Sequence, residues 1–553
     1  MKYRKSLNSY LKPVQMSRLS QIDFFLIAIL IIGFTLRIVG IGVGLPDYPD
    51  PRELLIVEDI RNLIQLKAPP EIFNWPGTAW FYLVAAIGKI LGILGLDLTV
   101  ANLIWLARFI NVLLSIGTIW LTYQTGGRVH SRSVGRIAAV VLAVTMLHAT
   151  NESRFALVDI PATFCVTLLL CLCINAQPVS FRRAVWLGIL IGIGFSVKFT
   201  TAFAGLAVIG SLWHTEERER NSRTLYVCLK LGTVLGGAVA SFTVICPYWL
   251  IDLFSPKWNA FFEAFFYEAL HYHRGHFGLF ATKEIGGLGR FTYLWTLLRW
   301  GMGGPLAFVS IAGLGIAIGG RKNGGRILTL FVVPYLLFVG WHKLKFARHL
   351  LLIYPALAVF AAVGMVKTRL VVAQLIAWLT NSKLKWVNGV IIAIFCGVGI
   401  YSVVYTAGFA GVMTTPSTIS EAAKWLEANI PLEERIEREP AILFEWLQPK
   451  RHSEKDGEGA PWALVLMPNA EVFMKYAENP DGYSAVDWYP VQEPELDVAV
   501  AFYKRVFDAN RYEIVKTFRR HPQFLGISVS DVGAPFPMRA LAHPEIRVYR
   551  LRE

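Results

Sequence analysis

The strongest constraint on this chain is a series of apolar runs of about bilayer-spanning length, joined by short loops rich in arginine and lysine. The first run extends from Asp23 to Val43, about twenty residues, which as a helix matches the hydrocarbon thickness of a membrane. Basic residues precede this run and no small-residue cleavage site follows it, so we interpret it as an uncleaved helix. Of the 553 residues, 54% are hydrophobic and 17% are charged, which excludes an ordinary soluble domain.

The net charge of +15 does not indicate nucleic-acid binding. The basic residues stand in short clusters between apolar runs, without a continuous basic stripe or interleaved aromatic residues. Such clusters are typical of the cytoplasmic loops that orient a polytopic membrane protein. The six cysteines lie in or beside apolar runs and indicate neither a disulfide framework nor a zinc site.

Placing the basic loops in the cytoplasm predicts a mainly α, polytopic membrane helix bundle of about eleven spans within residues 1–411. This topology places the N-terminus in the cytoplasm and the C-terminus outside. Residues 184–213 are too long for one span and contain Lys198 at their middle. We therefore predict two short helices that meet near Lys198 on the outer side.

Residues 77–96 are also apolar, but counting them as a span would reverse the placement of the arginine-rich loop that follows. An interfacial or re-entrant helix is the better interpretation, with aromatic residues at its headgroup end. Residues 43–100 then form one long external loop that carries juxtamembrane helices.

The composition changes near residue 412 to that of a water-soluble domain. Residues 417–429 have apolar positions at helical spacing, and residues 463–467, 512–518 and 546–551 are short β-branched or aromatic runs. This pattern predicts a C-terminal extracytoplasmic α/β or α+β domain over residues 412–553.

The first external loop contains the acids that most resemble a catalytic pair. Asp50 and Glu53 follow the first span in the segment GLPDYPDPRELLIVEDIRNL. A carboxylate there could take a proton from an acceptor hydroxyl or amine within hydrogen-bonding reach. The alternative is that both are solvated loop acids that cap the helix beginning at Pro51.

A second pair of charges lies in HATNESRFALVDIP, residues 148–161. Arg154 and Asp159 are five residues apart at the mouth of a helix, so each could neutralise the other or contact substrate. Asp159 is a candidate catalytic residue, and Arg154 is a candidate for binding the phosphate of a lipid-linked donor. A purely structural role is the alternative, because a carboxylate in a first helical turn is favoured by the helix dipole.

Four cations stand between apolar runs where the positive-inside rule does not predict them. They are Lys198 in GFSVKFTTAF, and Lys343, Lys345 and Arg348 in HKLKFARHLLLIYP. Phosphate recognition requires fixed positive charge, which arginine supplies as a fork and lysine as a point charge. We predict that these residues bind a lipid phosphate, with interfacial snorkelling as the alternative.

The loop EALHYHRGHFG adds His271, His273, Arg274 and His276, together with a glutamate. Such a cluster can bind a divalent cation that bridges phosphate oxygens, so the sequence leaves open whether the protein requires a metal ion. Hydrogen bonds from these residues to sugar or phosphate, or simple interfacial exposure, are the alternatives.

The order of several motifs resembles the bacterial GT-C glycosyltransferases. These motifs are GLPDYPDPRE, FNWPGTAWFYL, SRFALVDIPATF, GFSVKFT and KFARHLLLIYP. The resemblance is to dolichyl-phosphate-mannose protein mannosyltransferase-like and aminoarabinose-transferase-like enzymes, which use polyprenyl-phosphate donors, and it covers about residues 20–411. The tail also resembles the tails of bacterial members in FYKRVFDANRYEIVKTF and AHPEIRVYRL.

By this resemblance, an acid of the first external loop deprotonates the acceptor, while basic residues hold the lipid phosphate. Asp159 matches the second-loop acid, and Lys198 and Arg348 match basic positions suited to the donor phosphate. The resemblance implies a helix bundle whose active site faces away from the cytoplasm.

The first-loop motif departs from the family pattern at one position. Related sequences commonly have an Asp-Glu pair after the proline, whereas here the proline is followed by Arg52 and Glu53. The base is therefore Asp50 or Glu53, with Asp50 as the first candidate.

Together these features predict a membrane glycosyltransferase that moves a hexosyl or pentosyl group, with inversion, from polyprenyl phosphate to an extracytoplasmic protein, lipid or glycan. The expected partners are the lipid-linked donor, membrane lipids and an unidentified acceptor, without nucleic acid and with a divalent cation as the one candidate cofactor. The expected location is the bacterial inner membrane. A transporter or flippase, or a non-catalytic assembly protein that uses its external domain, are the alternatives.

Overall fold

The computed structural model describes residues 23–46, 50–71, 73, 76–174, 178–215, 220–255, 260–274, 289–320, 323–343, 345–380, 385–414, 416–440, 460–480, 493–535, 538–539 and 543–552. These residues form a mainly α-helical bundle followed by a module that contains a β-sheet, which confirms the predicted fold class.

The first half of the bundle contains helices and short helical turns in the order α1 (Phe24–Ile38), α2 (Pro51–Ile64), α3 (Thr78–Ile93), α4 (Val100–Val129), α5 (Arg132–Ala143), a π-helical turn (Leu147–Asn151), a 3-10 turn (Glu152–Arg154), α6 (Asp159–Cys173), α7 (Phe181–Val197), a 3-10 helix (Phe199–Ala204), α8 (Gly205–Thr215) and α9 (Arg220–Ile245). The second half contains α10 (Tyr248–Phe254), α11 (Ala260–Arg274), α12 (Gly289–Met302), α13 (Gly304–Ile318), α14 (Asn323–Trp341), a 3-10 helix (Ala347–Ile353), α15 (Tyr354–Thr380) and α16 (Lys385–Val412).

Five of the described segments are long and apolar enough to cross a membrane: Val100–Val129, Ser222–Ile245, Asn323–Trp341, Ala347–Val372 and Gly389–Val412. The bent pair formed by α5 and the turns after it gives a sixth if it is one span. The chain is therefore a multi-pass membrane protein, while the number of eleven spans stays a prediction.

The two ends of α1 mark the two ends of the bundle. At its start, Asp23 forms ion pairs with Arg132 (3.2 Å) and Arg136 (3.0 Å) in the first turns of α5, next to the basic connection between α4 and α5. Beyond its other end, Arg108 donates a 2.7 Å hydrogen bond to the Ile41 carbonyl oxygen. The arginine-rich connection and the loop after α1 therefore lie at opposite ends of the bundle.

The break predicted near Lys198 is confirmed. Helix α7 ends at Val197, Lys198 has extended backbone dihedrals, and the chain continues as the 3-10 helix and α8. The 16 residues of α3 make a helix about 24 Å long, shorter than the hydrocarbon core of a bilayer. The interfacial or re-entrant placement of residues 77–96 stays a prediction.

Helices α7 and α9 pack with their backbones in close approach. A Cβ atom on Gly192 would overlap the carbonyl oxygen of Ala238 and the hydroxyl of Ser241, and one on Gly188 would overlap the carbonyl oxygen of Val234. Small residues four apart permit this packing between membrane helices. This close packing, called the glycine seam, fixes the position of α7, whose C-terminal end leads directly into the Lys198 break.

After α16, helix α17 (Thr418–Asn429) leads into a four-stranded sheet. Its strands are β1 (Ile436–Glu437), β2 (Trp462–Leu466), β3 (Tyr512–Phe518) and β6 (Ile546–Leu551), in the order β1-β2-β6-β3. Strands β1 and β2 are parallel, and the other two pairings are antiparallel. The predicted helix and three strands are present, although Met467 begins the next helix instead of ending β2.

Alternation along β2 buries both faces of this sheet. Leu464 packs in a cluster with Leu426 of α17, whereas Val465 packs on the opposite side with α18 (Met467–Glu478) and α19 (Glu493–Val506). Helices on both faces and mixed strand directions make this module an α/β sandwich of three layers. Its predicted boundary at residue 412 lies at the end of α16 and stays a prediction of domain organisation.

The module also contacts the end of α16. Its small hairpin of β4 (Gln523–Phe524) and β5 (Ile527–Ser528) places the backbone of Gln523 against Gly411. Nearby, the ring of His543 lies 6.5 Å from that of Phe409, and its Nε2 is 2.6 Å from the Asp531 carboxylate. The module is therefore anchored at the end of the bundle where α16 ends.

Candidate active site

Asp50 begins α2 in a geometry that its neighbours determine. Its Oδ1 accepts the backbone N–H of Arg52 at 2.9 Å, and its own N–H donates to Glu53 Oε2 at 3.2 Å. This reciprocal cap, with Pro51 in the first helical turn, is a strong helix start. The Asp50 carboxylate is therefore held at the N-terminus of α2, directly after the first apolar helix.

The Arg52 guanidinium binds the same carboxylate through two hydrogen bonds. Its Nε donates to Asp50 Oδ1 at 2.9 Å and its Nη2 to Oδ2 at 2.6 Å. Burial alone would raise the pKa of the Asp50 carboxyl, but the charge and hydrogen bonds of Arg52, with a further contribution from Arg348, hold this pKa below its usual value. Asp50 is thus ionised at neutral pH and neutralised by Arg52.

Glu53, unlike Asp50, forms a fully buried ion pair with Arg108. The Nε and Nη2 of Arg108 donate to its two carboxylate oxygens at 2.8 and 2.6 Å, and both side chains are fully buried. The backbone N–H of Ala156 donates a third bond, at 2.6 Å. Glu53 therefore joins α2, α4 and the segment before α6, and this geometry argues against its predicted role as the base.

Asp159 and Lys198 were predicted for separate roles, but they are direct partners. The Lys198 Nζ lies 2.6 Å from Asp159 Oδ1, and both side chains are largely buried. Asp159 is the first residue of α6, where the helix dipole favours a negative charge. The pair connects the start of α6 to the break after α7.

Arg348 completes the cluster from the 3-10 helix before α15. Its charge acts on both Asp50 and Asp159, and its guanidinium lies 4.3 Å from the centroid of the Phe346 ring. It forms no ion pair with any carboxylate of the described residues. Arg348 is therefore the cation of this cluster that is best placed to accept an added anion.

The sequence interpretation did not single out Glu152, which belongs to the same cluster. Its side chain is buried, and its charge interacts with Arg52, Arg348, Asp50 and Asp159. The sequence contained a signal for it, because Glu152 is an acid in the same motif as Arg154 and Asp159, between two apolar runs. The site thus combines three acids and three cations, namely Asp50, Glu152, Asp159, Arg52, Lys198 and Arg348.

A narrow cavity adjoins this cluster on the Lys198 side. It is lined by Lys198, Thr200, Tyr272, Tyr335, Phe338, Val339, His342 and His349. The Tyr272 hydroxyl lies 3.3 Å from His349 Nε2, and the Tyr335 hydroxyl donates to the His349 carbonyl oxygen at 2.7 Å. Lys345 is fully buried and is not among the described residues that line this cavity, so its donor role stays a prediction.

Arg154 does not join the cluster. Its guanidinium donates to the carbonyl oxygens of Leu36 (2.6 Å) and Thr150 (3.1 Å), and it is fully buried. These bonds satisfy carbonyls left without partners where α1 ends and where the π-helical turn departs from α-geometry. These contacts are those of a structural residue, and the predicted binding of the donor phosphate by Arg154 stays a prediction.

The predicted histidine cluster lies outside what the structure describes. His276 is not among the described residues, and the side chains of His271, His273 and Arg274 are not described either. Among the described residues, no group of three or more histidine, cysteine, aspartate or glutamate side chains could hold a metal ion. The predicted substrate contacts of these four residues therefore stay predictions.

Residues 91–249 match the family model of dolichyl-phosphate-mannose-protein mannosyltransferases. The fold is similar to that of the Archaeoglobus fulgidus oligosaccharyltransferase in the apo form, with a TM-score of 0.52 and 12% identity over 96% of this chain and 88% of that chain. The archaeal oligosaccharyltransferase AglB from the same organism, in complex with an inhibitory peptide and a dolichol-phosphate, gives a TM-score of 0.51 and 12% identity over 90% and 79% of the two chains.

ArnT from Cupriavidus metallidurans bound to undecaprenyl phosphate gives a TM-score of 0.49 and 13% identity over 95% and 97% of the two chains. No curated protein matches this chain in sequence. The family-model match and the shared fold confirm the resemblance to GT-C glycosyltransferases that the motifs indicated.

Proposed function

We propose that this chain, which has the GT-C fold, transfers a sugar from a polyprenyl-phosphate donor to an extracytoplasmic acceptor. The observation that supports this most directly is the cluster around Asp50, where acids and cations from four separate stretches of the chain act on one another. Ionisable groups are costly in a membrane protein, so such a cluster marks a functional site.

The orientation of the bundle supports an external site. The basic connection between α4 and α5 lies at the Asp23 end of α1, and arginine-rich loops are typically cytoplasmic. The Asp50 cluster lies beyond the opposite end of α1. We therefore place the protein in the bacterial inner membrane, with its N-terminus in the cytoplasm and the Asp50 cluster outside, where a sugar donor has to be lipid-linked. The C-terminal module follows on the same outer side, because Met413, directly after the end of α16, lies against Gly40, just beyond the end of α1.

In the proposed reaction, an acceptor oxygen or nitrogen attacks the anomeric carbon while the bond from that carbon to the phosphate oxygen breaks. Asp50 takes the acceptor proton, and polyprenyl phosphate leaves with the bonding electrons. Attack from the face opposite the leaving group inverts the anomeric centre. Arg348 and Lys198 stabilise the negative charge of the leaving phosphate.

Arg52 has to release Asp50 for this chemistry, because both Asp50 oxygens accept hydrogen bonds from it. The donor phosphate is a diester with one negative charge, and its two free oxygens can accept the two hydrogen bonds of a guanidinium fork as a carboxylate does. Donor binding near Arg348 would therefore draw Arg52 away and leave Asp50 available to the acceptor. This exchange accounts for an arginine at the position where related sequences commonly have an aspartate.

The direct test uses purified protein in lipid nanodiscs with a panel of radiolabelled polyprenyl-phosphate hexoses and pentoses. Donor loss and labelled product are followed with and without a chelator, which also answers the divalent-cation question. Consumption of one donor class supports the proposal. Intact donor that redistributes across the membrane of proteoliposomes favours a flippase, and donor binding without turnover or redistribution favours a non-catalytic assembly protein.

We expect Arg348→Gln to raise the KM for the lipid-linked donor by about 10- to 100-fold, from the loss of one charge-assisted hydrogen bond. Initial rates at varied donor concentration measure this effect. Arg61→Gln is the matched control, because Arg61 lies on α2 with a 40% exposed side chain that pairs only loosely with Glu58 (3.5 Å). An unchanged donor KM in Arg348→Gln would contradict the assigned phosphate contact.

A second prediction concerns pH. Without the Arg52 charge, burial dominates and the pKa of Asp50 rises, so Arg52→Gln is expected to move the acid limb of the kcat/KM profile to higher pH. In the unchanged protein, Asp50 loses its proton well below neutral pH and contributes no acid limb near pH 6. Profiles of both proteins and of Arg61→Gln measure the shift, and coincident acid limbs would exclude Asp50 as the base.

A further inference from the structure

The hairpin formed by β4 and β5 has an unusual residue at its tip. The two-residue turn consists of Leu525 and Gly526, with φ angles of 48° and 80°. Two successive positive φ angles define the type of tight turn that strongly favours Asn-Gly, because a branched side chain is disfavoured there. Leucine at the first position is therefore a local cost to folding, which suggests that the side chain is retained for another purpose.

That side chain is also exposed. Leu525 is 86% exposed, and Ile527, which follows the turn on β5, is 55% exposed. Single exposed apolar residues are ordinary on a protein surface, but an apolar group at the tip of a projecting hairpin is typical of a contact surface. Leu525 and Ile527 together form the hairpin tip.

The position of the hairpin indicates which partner it contacts. The carbonyl oxygen of Gln523 would lie 3.1 Å from a Cβ atom on Gly411, close to the end of α16. Two residues of extended chain span about 7 Å, so Leu525 lies close to the end of this membrane-length helix. Farther along α16, Ile400 and Val403 are exposed, as expected for lipid-facing residues.

We propose that the hairpin tip inserts into the outer headgroup region of the bilayer beside α16. The lipid surface that contacts exposed residues of α16 would then continue onto the C-terminal module. An apolar tip at this depth gains free energy from leaving water, as interfacial membrane anchors do. The insertion would position the module over the external end of the bundle, and it does not depend on the proposed transferase activity.

The test places a nitroxide spin label on Leu525→Cys in a Cys228→Ser, Cys396→Ser background, which removes the two exposed native cysteines. The full-length protein is reconstituted in phosphatidylglycerol and phosphatidylethanolamine nanodiscs. Power-saturation measurements compare collision of the label with oxygen, which concentrates in lipid, and with a water-soluble nickel complex. Lys516→Cys, exposed on β3 of the same module, is the matched aqueous control.

We expect the label at position 525 to be several-fold more accessible to oxygen relative to nickel than the control label. Equal nickel accessibility at the two positions would overturn the proposal. Protection from both reagents would also overturn it, because this result would indicate a protein contact, such as a second copy of the chain.

A second pair of variants separates insertion from folding. The label is placed on Ile527→Cys, with or without L525N. Asparagine suits the turn, so the hairpin is expected to persist, while the oxygen-to-nickel ratio at position 527 falls because the tip has lost its apolar side chain. An unchanged ratio would show that Leu525 does not hold the hairpin in the membrane.

Discussion

Asp50→Asn is expected to reduce sugar transfer by about 10²- to 10⁴-fold, the usual contribution of a positioned general base. Asparagine is as good an N-cap as aspartate, so the start of α2 is expected to persist. What is lost is the capacity to accept a proton from the acceptor. Single-turnover transfer to the acceptor identified with the donor panel measures the effect, together with a melting curve that confirms folding.

Glu58→Gln provides the matched control for this result. Glu58 lies two turns further along α2 with a side chain that is 55% exposed, and its change from acid to amide is chemically the same. We expect this variant to retain activity. If Asp50→Asn transferred sugar at the rate of Glu58→Gln, Asp50 would not be the base, and Glu152 would be the next carboxylate to test.

Glu53→Gln is expected to have a large effect of a different kind, on folding. Replacing one partner of a buried ion pair leaves the other charge without compensation, which typically costs about 3–5 kcal/mol. Glu53 and Arg108 are both fully buried, and Glu53 also accepts the Ala156 N–H. We expect a strongly lowered melting temperature in detergent and a reduced yield of folded protein.

A double variant distinguishes this interpretation from catalysis. If the cost arises from the unpaired Arg108, then Glu53→Gln combined with Arg108→Met restores part of the lost stability, and the two effects are not additive. A variant Glu53→Gln that melts normally but transfers no sugar would contradict the structural role. Such a result would return Glu53 to the position of candidate base.

Much of the fold could be predicted because its signals are local. Apolar runs and arginine-rich loops indicate spans and their orientation, and the short apolar runs after residue 412 indicate strands such as β3 and β6. The break at Lys198 could also be predicted, since a buried cation interrupts a run that is too long for one helix. These inferences require only the chemistry of neighbouring residues.

The pairing of charges could not be predicted in the same way. Arg108 reaches Glu53 across 55 positions of sequence, and Lys198 reaches Asp159 across 39. Which cation faces which acid depends on how the helices pack, and no local pattern records it. Arg154 illustrates the same limit, because its position in the motif suggests substrate binding, while its guanidinium satisfies backbone carbonyls at the end of α1.

The glycine seam between α7 and α9 affects how inactive variants of this protein should be interpreted. Gly192 lies six residues before Lys198, and a methyl group there would force two helix backbones apart. The displacement would reach the Lys198 ammonium, so inactive variants in a random-mutation screen are expected to include glycines that never approach a substrate. In such a screen, a position that tolerates no mutation can be needed for close helix packing or for the reaction itself. Only chemically matched substitutions separate these two roles.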